Sequence, residues 1–490
     1  MTKRFVFILL LALWAFKPIA QKAEFTPLMQ AGLADIAHLR YTDLKDKLTR
    51  ERVLNKGNRV PDYLEAAALC IELFVNENEA VYDKREPELN ALMRRLEQLP
   101  EDEPFKRVFL GEIYLAKASL QGKFNNRIQA LWLFNKAYNL LQENYQRYPN
   151  FAPNFVPWGV LNAAIGSLPD DYKSIAGVLG FKGNIGKGLD LVREGYYACL
   201  ASSEYSFYKP YFGFIYCYIN FQLEGSEDLD LYKLGLPVEQ SSFYIYLQSR
   251  ILLSNGKSQN ALKILENRPN GVRFLDFHYL HYLTGKIALT VNRSKAPRHL
   301  RLYLKNTHNR NYFKSTYRFL AWYHLLNNQA DSADFYRQKI MEPGKNFVGA
   351  DEQAEVEAER GFNKRLIEAR LLFDGGFYPQ VIQLLNLENM ANCCQKPWEQ
   401  AEFHYRLGRA FQELALRNKA VAAYKKALLI PLKAPTYALG NSALQLAAIL
   451  EASGQAVESK KYYQLALEHS GYPFYESIHQ KAKTALNRLD

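Results

Sequence analysis

Apolar side chains recur along this 490-residue chain at the three-and-four spacing of amphipathic helices, and period-two alternation is almost absent. Short polar turns separate the apolar stretches. Residues 28–55, 62–81 and 86–99 read as three helices, the last two parted at 83–85, with Pro100 ending the third and Glu103-Pro104 opening the next. In the second half a small residue returns six times where two helices must pack closely, at Ser249, Gly285, Ala321, Ala369, Gly408 and Ala447. That recurrence predicts an array of helical hairpins.

The clearest unit runs Leu407-Gly408, Phe411, Ala420, Tyr424 and Ala427. These offsets resemble those of a tetratricopeptide repeat, a helix–turn–helix of about 34 residues. Leu110-Gly111 with Tyr114, then Ala130, Phe134 and Ala137, is similar to a repeat whose first helix has gained about two turns. One such hairpin cannot bury its apolar face alone, so neighbours must stack on it. The expected fold is therefore all-α: an α-solenoid of tetratricopeptide-like helix–turn–helix repeats with an irregular helical N-terminal half. The expected organisation is a signal peptide over 1–20, a helical region with one extended repeat over 21–149, an irregular Gly/Pro-containing helical segment over 150–235, and a repeat array with a closing helix over 236–490.

Trp158-Gly159-Val160-Leu161-Asn162, Gly166-Ser167-Leu168-Pro169, Gly180-Phe181-Lys182-Gly183 and Gly188-Leu189 together predict a small-residue helical pair and a glycine-rich turn. This segment resembles the characteristic stretch of the tetratricopeptide repeat protein 39 family, which includes an inclusion-body clearance protein. Asn184-Ile185 stands where that family usually has an Asp-Arg pair. The run from Tyr475 to Leu486 is similar to the family's closing helix, with Lys481 and Lys483 where Arg and His are more usual. The resemblance implies an all-helical, non-enzymatic interaction protein, with links in some relatives to lipid metabolism and aggregate clearance.

The N-terminus changes the picture. Lys3-Arg4, an apolar run over 5–16 and Pro18-Ile19-Ala20-Gln21 have the layout of a secretory signal peptide, and the run is short of the roughly 20 apolar residues of a membrane span. The expected mature chain is extracytoplasmic, periplasmic or secreted, and not transmembrane. Cleavage after Ala20 removes Lys3, Arg4 and Lys17 and no acid, so the formal charge falls from +12 to +9. A basic surplus of this size suits acidic proteins, anionic glycans or membrane surfaces. Nucleic acid is not an expected partner outside the cytoplasm. Of the five cysteines, Cys70 fits an apolar helix face; Cys199 with Cys217, and the adjacent pair Cys393-Cys394, are open as disulfides or as free thiols.

No catalytic motif with a mechanism stands in the sequence, and no cofactor or metal is expected. Gly183 to Gly188 lacks the glycine offset, the Ser or Thr and the preceding strand of a phosphate loop. His278 and His281 lie one helical turn apart near Asp276 without further ligands, and Glu476 with His479 lacks the second copy of a di-iron motif. The repeat register is more productive. Counting from the small residue at position eight, position nine of each first helix holds Arg250, Lys286, Trp322, Arg370, Arg409 and Ala448, and position five holds Tyr246, Tyr282, Arg318, Leu366, Tyr405 and Leu444. Both positions fall on one stripe of a helix. The predicted groove is thus Tyr246, Arg250, Tyr282, Lys286, Arg318, Trp322, Arg370, Tyr405 and Arg409. Arginine forks beside tyrosine rings suit a carboxylate-bearing ligand. The expected function is a scaffold that captures an acidic segment of a protein partner; the alternative is a lipid- or glycan-binding carrier of the cell envelope built on the aromatic helices over 195–223 and the small-residue pair over 158–179, with a closed apolar cavity near 207–221.

Overall fold

The computed structural model describes residues 20–168, 180–225, 229–307, 311–344, 348–386, 390–432 and 436–489. The leader up to residue 19, and the 169–179 portion of the expected small-residue pair, lie outside the described residues. Everything described is helix and turn apart from one isolated bridge between Lys22 and Asn58. No described helix is long and apolar enough to cross a membrane. The chain divides into two compact units, one of residues 1–244 with 269–276, the other of 245–268 with 277–490.

The first unit begins with Pro27–Ala37 and Tyr41–Leu54, two helices where the apolar periodicity predicts one. Leu39 breaks them with φ of 57°, and the Arg40 N–H closes the turn on the Asp35 carbonyl at 2.8 Å. No Gly or Pro marks this break, so sequence gave no sign of it. The next break falls at Glu77 (φ 50°) and not at 83–85, because Asn78 caps Glu79–Leu96 by accepting from the Val81 N–H at 3.2 Å. Residues 269–276 join this unit through the Leu275 N–H, which donates to the Leu39 carbonyl at 2.8 Å. Aromatic rings fill the core: Tyr63 stacks on Phe109 with centroids 4.0 Å apart, and Tyr208 stacks on Phe212 at 4.4 Å. Tyr208 and Phe212 are fully enclosed, whereas the other aromatic side chains of 207–221 are half-buried.

The glycines of the irregular segment do what their density implied. Phe155–Gly166 packs along Ile185–Ala201, and a Cβ placed on Gly159 would stand 2.7 Å from the Gly188 carbonyl oxygen. Backbone meets backbone there, which only glycine permits.

Glu112, on the helix Pro104–Lys123, accepts a hydrogen bond from the Tyr63 hydroxyl inside this aromatic core. Burial raises its carboxyl from 4.5 to about 7, and the Tyr63 bond opposes the rise. The folded unit therefore keeps a proton that the unfolded chain releases, and stability falls as pH climbs from 4.5 towards about 7. Glu112→Gln should remove that slope. Urea midpoints of the two proteins, compared across this window, should converge on the acid side and separate above it. Parallel profiles would contradict the assignment.

The second unit is a run of helical hairpins. Tyr279–Val291 packs on Ala296–Asn306, Phe313–Leu326 on Ala330–Met341, Lys364–Asp374 on Tyr378–Leu384, Pro397–Glu413 on Arg417–Leu428, and Tyr437–Ala452 on Ala456–Glu468; Ser258–Glu266 precedes them and Tyr475–Leu489 closes the run. The small residues sit where predicted: Ser249, Ala321, Ala369 and Ala447 are completely buried. A Cβ on Gly285 would meet Leu300 at 2.6 Å, and one on Gly408 would meet the Tyr424 ring at 2.5 Å, each on the second helix of its own hairpin. One helix breaks the pattern. Gly349–Arg360 is inserted between two hairpins and packs on Phe313–Leu326, where no repeat register called for it.

Candidate functional site: an ion-paired pocket in the repeat array

The first helices of three successive hairpins, Lys364–Asp374, Pro397–Glu413 and Tyr437–Ala452, turn one face into a cavity of about 520 Å³. The inserted helix Gly349–Arg360 bounds it on one side and the closing helix Tyr475–Leu489 on another. Phe474, at the start of the closing segment, lies against Gly349, so that a Cβ there would meet its ring at 2.8 Å. The wall is thereby joined from the last helix back to the inserted one.

Of the nine sequence-predicted groove residues, Arg370, Tyr405 and Arg409 border this cavity. Trp322 and Arg370 line a smaller recess beside it. The other five lie elsewhere on the array. Arg250 donates to the Tyr246 hydroxyl at 3.1 Å, and the two are half-buried together. Tyr282 is buried, with its hydroxyl 2.9 Å from Ser315 Oγ in the following hairpin. Tyr405 repeats the arrangement, accepting from Asn441 Nδ2 at 2.7 Å. Position five is therefore a seam between neighbouring hairpins in both cases. Lys286 is half-buried; burial pulls its ammonium below the usual lysine range, Asp374 opposes this, and Arg370, Arg318 and Arg250 add to it.

Arg318 is 4 % exposed, and its charge is answered from the inserted helix. Glu357 takes Arg318 Nη1 on Oε2 at 3.2 Å and Arg370 Nη1 on Oε1 at 2.7 Å. Gln353 Nε2 donates to the same carboxylate at 2.6 Å, and Arg318 Nη2 donates to Ser315 Oγ at 3.2 Å. Both guanidinium groups lie over the Trp322 ring, 5.0 Å and 5.2 Å from its centroid. Burial pushes the Glu357 carboxyl up, but Arg318 and then Arg370 hold it down at about 2. A buried carboxylate shared by two arginines is a structural node: its removal would strand both charges.

A second node lies one hairpin on. Arg406 donates to Glu402 Oε1 through Nε at 3.0 Å and Nη2 at 2.7 Å, and Arg360 reaches Glu402 Oε2 at 3.8 Å from above the Trp398 ring. Arg409 is held differently. Its guanidinium lies 4.8 Å from the Phe373 centroid, and its nearest carboxylate, Glu413, is 3.4 Å away at the helix surface. Lys481 completes the wall, exposed. The lining thus carries Arg360, Arg370, Arg406, Arg409 and Lys481 against Glu357, Asp374 and Glu402, a surplus of positive charge after the internal pairs are made.

Sequence reasoning missed Glu357 and Arg360 because they stand on a helix outside the repeat register. Glu402 with Arg406, and Asn441 with Gln445, were open to discovery as i,i+4 polar pairs on first-helix faces. Among the described residues no group of three His, Cys, Asp or Glu side chains is placed to hold a metal ion. His281 lies 3.2 Å from His299 and 3.1 Å from Arg268, and burial first, then Arg268, press its imidazole down to about 3.

The fold defines the chain as a tetratricopeptide-like helical-repeat protein, on the strength of its consecutive hairpins and the buried small residue in each first helix. No protein-family profile matches the chain, and no curated protein matches it significantly. Among solved structures it is similar to the APC/C hetero-tetramer Cut9–Hcn1 at 13% identity over 94% of this chain and 95% of that one, with a TM-score of 0.27. So slight a likeness adds nothing to the definition that the chain's own helices provide.

Proposed function

We propose that this protein is an extracytoplasmic, non-catalytic scaffold whose ion-paired pocket captures an acidic segment of a protein partner. The order of its motifs fits the tetratricopeptide repeat protein 39 family. One observation carries the binding reading: Arg409, seated on Phe373 beside Tyr405, and exposed Lys481 present positive charge to a cavity whose other arginines already share Glu357 and Glu402. A carboxylate entering there gains charge-assisted bonds without displacing the internal pairs. Its volume suits a few side chains and not a globular surface. A lipid or glycan cradle among the rings of 207–221 has no comparable observation behind it.

The division of labour among the arginines makes the test specific. A fluorescently labelled Asp/Glu-rich decapeptide should bind the protein and lose affinity as salt rises from about 0.1 M to about 1 M, where the Debye length shortens from about 10 Å to about 3 Å. Arg409→Glu with Lys481→Glu should weaken binding at least about tenfold, because like charges then face the ligand. The unfolding midpoint should fall only modestly, through the lost Phe373 and Glu413 contacts of Arg409, and the variant should stay folded, since neither residue closes a buried pair. Equal binding of the decapeptide by the double variant, or equal binding of a lysine-rich decapeptide by the parent, would end this reading.

A further inference from the structure

Cys393 and Cys394 are adjacent in sequence, and their sulfurs lie 2.9 Å apart. The three other cysteines are solitary: Cys70, Cys199 and Cys217 are each buried, and burial pushes each thiol up to about 12. Burial, and then Cys393 beside it, push the Cys394 thiol up as well, but the pair is built differently. Cys393 ends the one-turn helix Met390–Cys393 and is partly exposed, whereas Cys394 is 1 % exposed and packs with Phe403, Val381 and Leu385.

Side-chain amides from two neighbouring elements hold the backbone on either side of the sulfurs. Asn363 Nδ2 donates to the Cys393 carbonyl at 2.6 Å, and Gln400 Nε2 donates to the Cys394 carbonyl at 3.3 Å. The Cys394 N–H itself donates to the Met390 carbonyl at 2.9 Å. Both thiols are thus fixed on one side of a clamped turn, one open to solvent and one behind it.

We infer that Cys393-Cys394 is a redox-active dithiol that closes to a vicinal disulfide by exchange with a small-molecule or protein disulfide. The Cys393 thiolate attacks one sulfur of the incoming disulfide, forming a mixed disulfide and releasing one thiolate. The Cys394 thiol passes its proton to the thiolate released in the first step, and its sulfur attacks Cys393 Sγ and expels the second thiolate, which takes up a proton from water. Two thiols of the chain are oxidised, one disulfide is reduced to two thiols, and the electron pair passes to the leaving sulfurs. The second step is intramolecular between atoms already in contact, so the mixed disulfide is short-lived. Asn363 gives the event a route into the fold, since its Oδ1 also caps the helix Lys364–Asp374 by accepting from the Leu366 N–H at 3.2 Å. That helix carries Arg370 and Phe373 to the pocket. The inference does not depend on what the pocket binds.

The test uses the full chain with oxidised glutathione, followed by alkylation in denaturant and mass spectrometry. Alkylatable thiols should fall from five to three, with the loss of two hydrogens confined to the peptide holding 393 and 394 and no lasting glutathione adduct. Cys394→Ser should instead retain glutathione on Cys393. Should that buried variant not fold, phenylarsine oxide supplies a second measurement: the parent should hold one arsenical per chain through gel filtration, and Cys393→Ser should release it. Five alkylatable thiols after treatment, a stable adduct on the parent's Cys393, or equal arsenical retention by Cys393→Ser would each overturn the proposal.

Discussion

Glu357→Ala is expected to destabilise the repeat array by about 3–5 kcal/mol, the usual cost of stranding a buried charge by removing its partner. Two arginines lose their carboxylate at once, and Arg318 is too deeply placed to recover its hydration. Trp322 reports the change directly, because both guanidinium groups lie over its ring. Urea unfolding followed by its fluorescence should show the shift. Glu357→Leu combined with Arg318→Met and Arg370→Met should recover most of the loss, since a well-packed apolar replacement of a buried ion cluster is often neutral. A loss of less than about 1 kcal/mol for Glu357→Ala would mean that the node is solvated and its burial argument wrong.

The contrast with Arg370 shows where sequence reasoning stopped. The small residue at position eight was legible because its physical demand is local: it must clear the second helix of its own hairpin, and Gly408 against Tyr424 shows how little room there is. Positions five and nine were legible as a stripe but not as a surface. Whether a stripe is open depends on what packs over it, and the inserted helix Gly349–Arg360 follows no repeat period. Arg318 and Arg370, which the register assigned to a ligand, therefore answer an internal carboxylate. The seam bonds of Tyr282 and Tyr405 were not legible, because Ser315 and Asn441 belong to the next hairpin and no intrahelical spacing announces them, although Tyr405 also borders the cavity. The helix break at Leu39 escaped for a simpler reason: a non-glycine residue at positive φ carries no local signal.

The second large effect is expected at Gly188. A Cβ there would stand 2.5 Å from the Ala163 nitrogen and 2.7 Å from the Gly159 oxygen, both backbone atoms that no rotamer change can move aside. Gly188→Val must push Ile185–Ala201 away from Phe155–Gly166, at a cost of about 3 kcal/mol or more. Gly186, two residues away on the first turn of the same helix, meets nothing closer than the Asn184 side chain at 3.4 Å. Gly186→Ala should therefore be neutral or stabilising by up to about 1 kcal/mol from helix propensity alone. Limited proteolysis and urea midpoints of the two variants separate these outcomes. Similar behaviour of both would remove close helix approach as the reason for the glycines.

Repeat arrays are commonly shortened, lengthened and recombined as interchangeable bricks, because each brick touches only its neighbours. Glu357 takes that freedom away at one point in this chain. It is mortar from outside the brickwork, binding Arg318 of one hairpin to Arg370 of the next through a helix that belongs to neither. Excising either hairpin, or grafting a consensus unit in its place, would take away one of the two arginines that hold the buried Glu357 carboxylate, and excising the inserted helix would strand both arginines. A redesign of this array has to treat 313–374 as a single block, and any cut for a shorter chain belongs outside it.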